Sequence, residues 1–230
     1  MKRDRRPPLK LPEGLREQLR DNRYKHIWRG DITDVYRFTG PEASKNYYLK
    51  RHRRRSNHNA LKERDVINWL QGKLPVAENA GHGKDRDHYY MLLKELPGIP
   101  AHKLVRKIPA ERMLAIMVRI MKRMHSVPIR DCPFDETMVA KLGRIRYSID
   151  HGYVRKDIYN RTSPRKAEKD FDYLVKNIPA KENLVFTHGD FCLPNFLLTG
   201  EKLTGVVDLA DAGVGDRYIS IELQDRAIRS

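Results

Sequence analysis

The sequence is poor in cysteine and has no long apolar run. Two cysteines, Cys132 and Cys192, among 230 residues are too few for a disulfide framework or a cysteine-based zinc site. No segment reaches the length of a membrane span, and the basic start from Met1 to Lys10 lacks the apolar core of a signal peptide. These absences predict a cytoplasmic protein without a membrane partner, in which each cysteine packs as a small apolar side chain.

Acidic residues are also in short supply. Asp and Glu total 30 against 46 Lys and Arg, which gives a net charge of +16. Such a charge attracts polyanions, among which ATP and nucleic acid both fit. The basic residues are scattered apart from the run from Lys50 to Arg55, and no nucleic-acid-binding motif is present. A solvated basic surface is therefore the better interpretation, and nucleic acid is a disfavoured partner that the charge alone leaves open.

The stretch from Leu184 to Asp208 has the pattern of three short strands joined by tight turns. Its apolar runs have strand character and are separated by turn residues: 184–186, 196–198 and 203–209. Asp190, Asn195 and Asp208 stand at the ends of these runs. Polar side chains at strand ends are candidates for a shared site.

The spacing of these three residues is typical of a kinase. Asp190 and Asn195 have the Asp-x-x-x-x-Asn spacing of a kinase catalytic loop, and Asp208 follows a strand as a kinase metal ligand does. Phosphoryl transfer needs a carboxylate that accepts a hydroxyl proton, and oxygen ligands that hold magnesium. Each residue alone could be an ordinary turn residue, but the three together predict a catalytic Asp190 with Asn195 and Asp208 as metal ligands. We expect His188 to brace the loop rather than to act as the base.

The run HGDFCLPN at 188–195, followed by GVVDLADAGVGDRY at 205–218, resembles the active-site signature of the aminoglycoside 3'-phosphotransferases. These are antibiotic-resistance enzymes with a protein-kinase-like fold, and the likeness recurs at intervals from Trp28 to Ser230. The broader pattern is shared with choline, homoserine and macrolide kinases, so it fixes the chemistry better than the substrate.

The resemblance implies an α+β protein-kinase-like fold of two lobes. Residues 1–97 would form a nucleotide-binding lobe, with an antiparallel sheet and one helix. Residues 98–230 would form a mainly helical catalytic and substrate lobe. Because the family continues beyond the position of Ser230, the expected fold is truncated at its C-terminus, as a fragment, a truncated natural form or a relative with another substrate.

The same resemblance assigns the nucleotide contacts. Lys50, steered by Glu63, would bind the α- and β-phosphates of ATP, while Tyr48 would stack on the adenine. Backbone groups of Lys94 and Leu96 would bind the adenine edge. A surface salt bridge is the alternative for Lys50 and Glu63, and core packing competes evenly for Tyr48.

Two strands flank a short turn at Gly30, within residues 24–38. In a kinase, this hairpin closes over the phosphates. One glycine is a weak signal, so a plain hairpin is a nearly equal alternative.

The sequence predicts helices at six places: 12–20, 58–70, 111–125, 134–150, 171–177 and 219–229. In the third, a methionine-rich stripe is expected to face the core: Met113, Leu114, Met117, Ile120, Met121 and Met124.

The expected substrate side departs from the family. Aminoglycosides are polycations, yet residues 151–170 carry six Lys or Arg against three acidic residues, and of these only Asp157 matches an acidic family contact. Asp211 also stands where the family has an arginine. The basic segment favours a less cationic substrate, whereas Asp211, in place of an arginine that would help to organise the catalytic centre, favours a module that has lost catalysis.

The sequence thus predicts an ATP- and Mg²⁺-dependent phosphotransferase that acts on a hydroxyl of a small molecule, foremost an aminoglycoside, which also makes Asp190 a substrate contact. A kinase of a less cationic small molecule is the first alternative. A degenerate module that binds nucleotide or polyanion without catalysis is the second.

Overall fold

The computed structural model describes residues 9–54, 60–152 and 164–218. The chain divides into two compact units, which we call the first unit (Met1–Ala60 with Ala77–Glu95) and the second unit (Leu61–Val76 with Leu96–Ser230). Residues 61–76, which we assigned to the N-terminal lobe, group with the second unit. The domain boundary near Pro97 stays a prediction.

The first unit is built on an antiparallel sheet of five strands in the order β1-β2-β3-β5-β4. A short helix, α1 (Glu13–Gln18), precedes the sheet. The strands follow in chain order: β1 Arg23–Arg29, β2 Thr33–Thr39, β3 Tyr47–Arg53, β4 Asn79–Lys84 and β5 His88–Lys94.

One face of this sheet carries the core of the first unit. Tyr36, Leu49 and Leu92 lie opposite one another on neighbouring strands, and all three are buried. Leu15 and Leu19, from α1 and its end, belong to the same cluster. Because side chains alternate along a strand, Tyr48 and Lys50 project from the opposite face of β3.

The second unit contains helices and two small antiparallel sheets. Its helices are α2 Ala60–Leu70 (whose first residue belongs to the first unit), α3 Ala110–His125, α4 Met138–Asp150 and α5 Pro164–Lys176. Its strands are β6 Ile99–Pro100, β7 Leu184–Thr187, β8 Phe196–Thr199, β9 Lys202–Val206 and β10 Gly213–Asp216. The sheets have the orders β6-β8-β9 and β10-β7. The three predicted strands are confirmed as β7, β8 and β9, while β10 was not predicted.

The methionine-rich stripe of α3 is largely confirmed. Five of its six predicted members are buried, but Leu114 is 47% exposed and Ile116 takes its place. At 100° per residue, Ile116 and Leu114 lie at opposite edges of the stripe and equally far from Met113 and Met117, so the packing of α3 rather than helical spacing decides which of the two is buried.

Helix α4 begins four residues later than predicted. Residues 134–136 are drawn into an extended pairing with β10, in which Glu136 N donates to Val214 O at 2.8 Å and Val214 N donates to Phe134 O at 2.8 Å. The hydroxyl of Thr137 then accepts from Ala140 N at 3.3 Å and caps the helix. Tertiary pairing therefore overrides the helical pattern of this segment.

Helix α5 begins at Pro164, seven residues before the predicted start at Phe171, and ends at Lys176. The predicted helix 219–229, with Ile221, Leu223 and Ile228, lies outside the described residues. In the described ranges, no helix is long and apolar enough to span a membrane.

Candidate active site

The turn between β7 and β8, residues 188–195, depends on a tight backbone contact at Gly189. Gly189 has a φ of +82°, and a Cβ at this position would lie 2.1 Å from the backbone oxygen of Asp211. Only glycine fits both the left-handed conformation and this approach. The turn is thereby packed directly against the segment that follows Asp208.

His188 joins the same two segments from inside the protein. Its side chain is fully buried, and its Nε2 lies 3.0 Å from the carbonyl oxygen of Val207. Asp190 N donates to His188 Nδ1 at 3.3 Å. A carbonyl can only accept, so Nε2 carries the hydrogen and Nδ1 accepts. Burial lowers the pKa of His188, which favours this neutral form and the expected role as a brace.

Asp190 and Asn195 are in direct contact, as their spacing predicts. Asn195 Nδ2 donates to Asp190 O at 3.0 Å and to Asp190 Oδ2 at 2.9 Å. Asn195 is 6% exposed, so its carboxamide is held in place by its surroundings. Because Nδ2 is turned towards Asp190, Oδ1 is the atom that the carboxamide offers to a cation.

Cys192 adds a third group to this pair. Its Sγ lies 3.5 Å from Asp190 Oδ2 and 3.1 Å from Asn195 Nδ2. Burial and the nearby charge of Asp190 raise the pKa of the Cys192 thiol to about 12. The protonated thiol therefore donates to the carboxylate and is a poor nucleophile.

Asp208 lies two residues after β9 in an unusual backbone conformation. Its φ of +62° makes it the one non-glycine residue with positive φ in the described part of the chain. Holding an L-residue in this region costs about 1–2 kcal/mol. The preceding residue, Val207, donates its N–H to Asn195 O at 3.0 Å. This hydrogen bond links the two predicted metal ligands, Asn195 and Asp208, through their backbones.

Glu63 of α2 reaches the residue after Asp208. Its side chain is fully buried, and its Oε1 accepts from Leu209 N at 3.2 Å. Lys50 belongs to the first unit, where it lies on β3 between Val35 of β2 and Met91 of β5.

The predicted adenine contacts are divided between the units. Tyr48 lies on β3 of the first unit, where burial and the nearby Glu95 carboxylate raise its pKa. Lys94 N donates to Glu78 O at 2.9 Å, so the backbone acceptor of Lys94, rather than its donor, remains for an adenine. Leu96 is the first residue of the second unit after this strand.

A buried ion cluster near the turn was not predicted from the sequence. Glu136 is 2% exposed and pairs with Lys62 of α2 and with Arg144 of α4. Burial lowers the pKa of nearby Lys141, while the charges of Glu136 and Asp211 oppose that shift. Nothing in the local sequence distinguishes Glu136 from a surface carboxylate, because its partners are 74 and 8 residues away.

The substrate side is described in part. Asp157, the one acidic residue of 151–170 that matches a family substrate contact, lies outside the described residues. Arg146 binds both Asp150, with an Nη2–Oδ1 distance of 2.5 Å, and Glu168, with an Nη1–Oε2 distance of 2.6 Å. In the described ranges, no group of three His, Cys, Asp or Glu side chains is placed to hold a metal ion. An ion at the turn would depend on Asn195 in addition to Asp208.

Sequence comparisons identify the family of the chain. The model of the phosphotransferase enzyme family matches residues 23–219. An aminoglycoside 3'-phosphotransferase of Niallia circulans is 30% identical over 167 residues, which cover 73% of this chain and 64% of that protein. One of Streptomyces fradiae is 29% identical over 226 residues, which cover 93% of this chain and 83% of that protein. The chain thus spans somewhat less than two thirds of the first relative.

Solved structures confirm the fold. A crystal structure of an aminoglycoside 3'-phosphotransferase of type VIII has a TM-score of 0.77 at 23% identity, covering 94% of this chain and 82% of that one. A Streptomyces rimosus aminoglycoside phosphotransferase in complex with ADP and streptomycin has a TM-score of 0.72 at 23% identity, covering 94% of this chain and 80% of that one.

The chain belongs to the phosphotransferase enzyme family, with a two-lobe, protein-kinase-like α+β fold. The resemblance to the aminoglycoside 3'-phosphotransferases, inferred from residues 188–195 and 205–218, is confirmed.

Proposed function

We propose that this chain transfers the γ-phosphoryl group of ATP to a hydroxyl of an aminoglycoside, foremost at the 3' position, and thereby confers antibiotic resistance. The observation that carries this proposal is the turn at 188–195. There Asn195 and Cys192 donate to the carboxylate of Asp190, and Asn195 O accepts from Val207, the residue before the strained Asp208. Family membership and the names of the relatives support the substrate class. A cytoplasmic location, where ATP is available, is part of the proposal.

Asp190 is the proposed base. Its Oδ2 accepts from Asn195 and Cys192, so we assign Oδ1 to the substrate hydroxyl. The hydroxyl proton passes to this carboxylate while the hydroxyl oxygen bonds to the γ-phosphorus. The bond between that phosphorus and the β–γ bridging oxygen breaks, and ADP leaves with its electron pair.

Asn195 and Asp208 would hold magnesium. Both offer oxygen, the ligand atom that Mg²⁺ prefers, and Asp208 keeps a strained backbone at that position. When bound, the ion neutralises charge on the triphosphate. We further propose that Lys50, steered by Glu63, binds the α- and β-phosphates, and that Tyr48 with the backbone of Lys94 and Leu96 binds the adenine.

A less cationic hydroxyl substrate is the second candidate. Of the three acidic residues in 151–170, Glu168 is already paired with Arg146, which also takes Asp150. Few carboxylates of this segment then remain to attract a polycation, with Asp157 as the proposed contact.

The test is ADP release from Mg-ATP with kanamycin, with neomycin and with a panel of neutral hydroxyl compounds, beside Asp190→Ala and Asp190→Asn. We expect aminoglycoside-stimulated release that both variants lose by about a thousandfold or more, while ATP still binds. Stimulation by neutral compounds alone would support the second candidate. Undiminished turnover in Asp190→Ala would overturn the assignment, and salt-sensitive nucleic-acid binding without turnover would point to a degenerate binding module.

A further inference from the structure

Strand β1 contains a bulge that changes the direction of its last side chains. Tyr24 lies opposite Phe38 and His26 opposite Tyr36, with ring centroids 5.4 and 4.7 Å apart on the core face of the sheet. A regular strand would direct residue 28 to that same face. The register shifts between His26 and Trp28, however, because Ile27 is an additional residue in β1.

The bulge moves Trp28 to the face that carries Lys50. Trp28 lies opposite Val35 on β2, and Val35 lies opposite Lys50 on β3. Directly opposed residues share a face, so the three form one row across the sheet. Two strand spacings separate the ends of the row by about 10 Å. Tyr48 lies on the same face, two residues before Lys50.

The hairpin turn fixes the position of the indole ring without burying it. A Cβ on Gly30 would lie 2.2 Å from Cη2 of Trp28 and 2.7 Å from Cζ3, so the ring lies directly over the glycine. Gly30 N donates to Thr33 O at 2.8 Å and closes the turn beneath it. Trp28 is nevertheless 55% exposed. The glycine is thus needed to make room for a ring that contributes little buried area to the fold.

We propose that Trp28 is a nucleotide-binding residue, which contacts the ribose–phosphate part of ATP across the face that it shares with Lys50. The inference rests on the proposed function, because it takes this face as the nucleotide side. The ring supplies a flat apolar surface for the ribose, and the indole N–H can donate to a phosphate oxygen. A separation of about 10 Å from Lys50 fits a ligand as long as a nucleoside triphosphate.

Tryptophan fluorescence tests the contact directly, because the chain has only two tryptophans, Trp28 and Trp69. In Trp69→Phe, the emission of Trp28 should change on titration with Mg-ATP and much less with adenine, which lacks the ribose–phosphate part. In Trp28→Phe, the remaining emission should be nearly unchanged. If Trp69→Phe is unstable, ¹⁹F spectra of the protein labelled with fluorotryptophan give the same information, with the Trp28 signal assigned by its loss in Trp28→Phe.

Binding constants provide the second measurement. We expect Trp28→Ala to weaken ATP binding about five- to tenfold and adenine binding less than twofold, with Trp28→Phe between the wild type and Trp28→Ala. Tyr24→Ala is the matched control, a half-exposed aromatic residue of the same strand on the opposite face, and should leave ATP affinity unchanged.

The outcomes separate this inference from the proposed function. ATP binding and turnover with no response of the Trp28 signal, and with unchanged affinity in Trp28→Ala, would overturn the role of Trp28 and leave the function standing. Absence of ATP binding to the wild-type chain would overturn both.

Discussion

The turn at 188–195, which contains the proposed base Asp190 and which we call the catalytic turn for that proposal, and the β1–β2 hairpin are both short connections between strands. They are held in opposite ways. In the catalytic turn, His188 and Asn195 are almost fully buried, and each is hydrogen-bonded to a neighbouring segment or side chain. The hairpin ends an edge strand whose largest side chain, Trp28, is more than half exposed. The turn that carries the proposed catalytic carboxylate is supported from inside the protein, whereas the side chain that we propose to contact a nucleotide is left exposed.

The strongest test of this contrast is Gly189→Ala. The substitution adds a side chain to a residue with positive φ and places Cβ 2.1 Å from Asp211 O, so we expect a loss of at least about 3 kcal/mol in unfolding free energy. Urea unfolding of the variant and of the wild type measures this difference in unfolding free energy.

Gly72→Ala is the matched control. Gly72 has a φ of +76° but no atom within 4 Å of the added Cβ, so only conformational strain of about 1 kcal/mol is expected. Equal losses in the two variants would show that the contact between the turn and Asp211 is not tight.

A smaller effect is expected from Glu136→Gln. The buried carboxylate pairs with Lys62 and Arg144, and its replacement by an amide removes the charge that Glu136 supplies to the partly buried ammonium of Lys62. Because Arg144 is half exposed and can be hydrated, we expect a loss of about 2 kcal/mol in unfolding free energy, below the usual value for a broken buried pair.

Glu78→Gln removes a carboxylate from the exposed pair with Lys94 and should produce no measurable change. A loss in Glu78→Gln as large as that in Glu136→Gln would mean that burial does not determine the strength of these pairs.

The last prediction concerns His188 and the pH dependence of the unfolding free energy. Its folded-state pKa lies below the unfolded value of 6.5, so the unfolded chain binds the additional proton. The contribution of neutral His188 to the unfolding free energy is therefore complete above about pH 6.5. It decreases as the pH falls towards the folded-state pKa, by at most about 1.4 kcal/mol per pH unit. His188→Gln should remove this part of the slope in urea unfolding from pH 7.5 to 5.5.

The exposed His102 provides the control for that measurement. His102→Gln should leave the slope of the unfolding free energy against pH unchanged. If His188→Gln also leaves this slope unchanged, the inference that His188 is buried in its neutral form is wrong.

The sequence predicts the candidate site well where the residues that contact one another are close together in the chain. Asp190, Asn195 and the strands on either side of them are close in the chain, so turn signals and apolar runs predict them well. Helix α4 was predicted too long because residues 134–136 pair with β10, a strand of only four residues that contains two glycines and has no recognisable pattern.

Features that depend on pairing partners could not be predicted. The bulge at Ile27 is set by the register with β2, and alternation along β1 would have assigned Trp28 to the wrong face. Glu136 likewise depends on a lysine 74 residues earlier. The roles of the site residues remain predictions that the experiments above can test.

The pairing of β7 with β10 has a consequence for how the site forms. Thr187 lies opposite Gly213, so the intervening segment, which contains Asp190, Asn195, Asp208 and Asp211, is a loop closed at its base by this pair. The entropy of closing that loop must be overcome before its internal contacts contribute to stability. During synthesis, the loop therefore cannot close until Gly213–Asp216 has left the ribosome, however early the first unit folds.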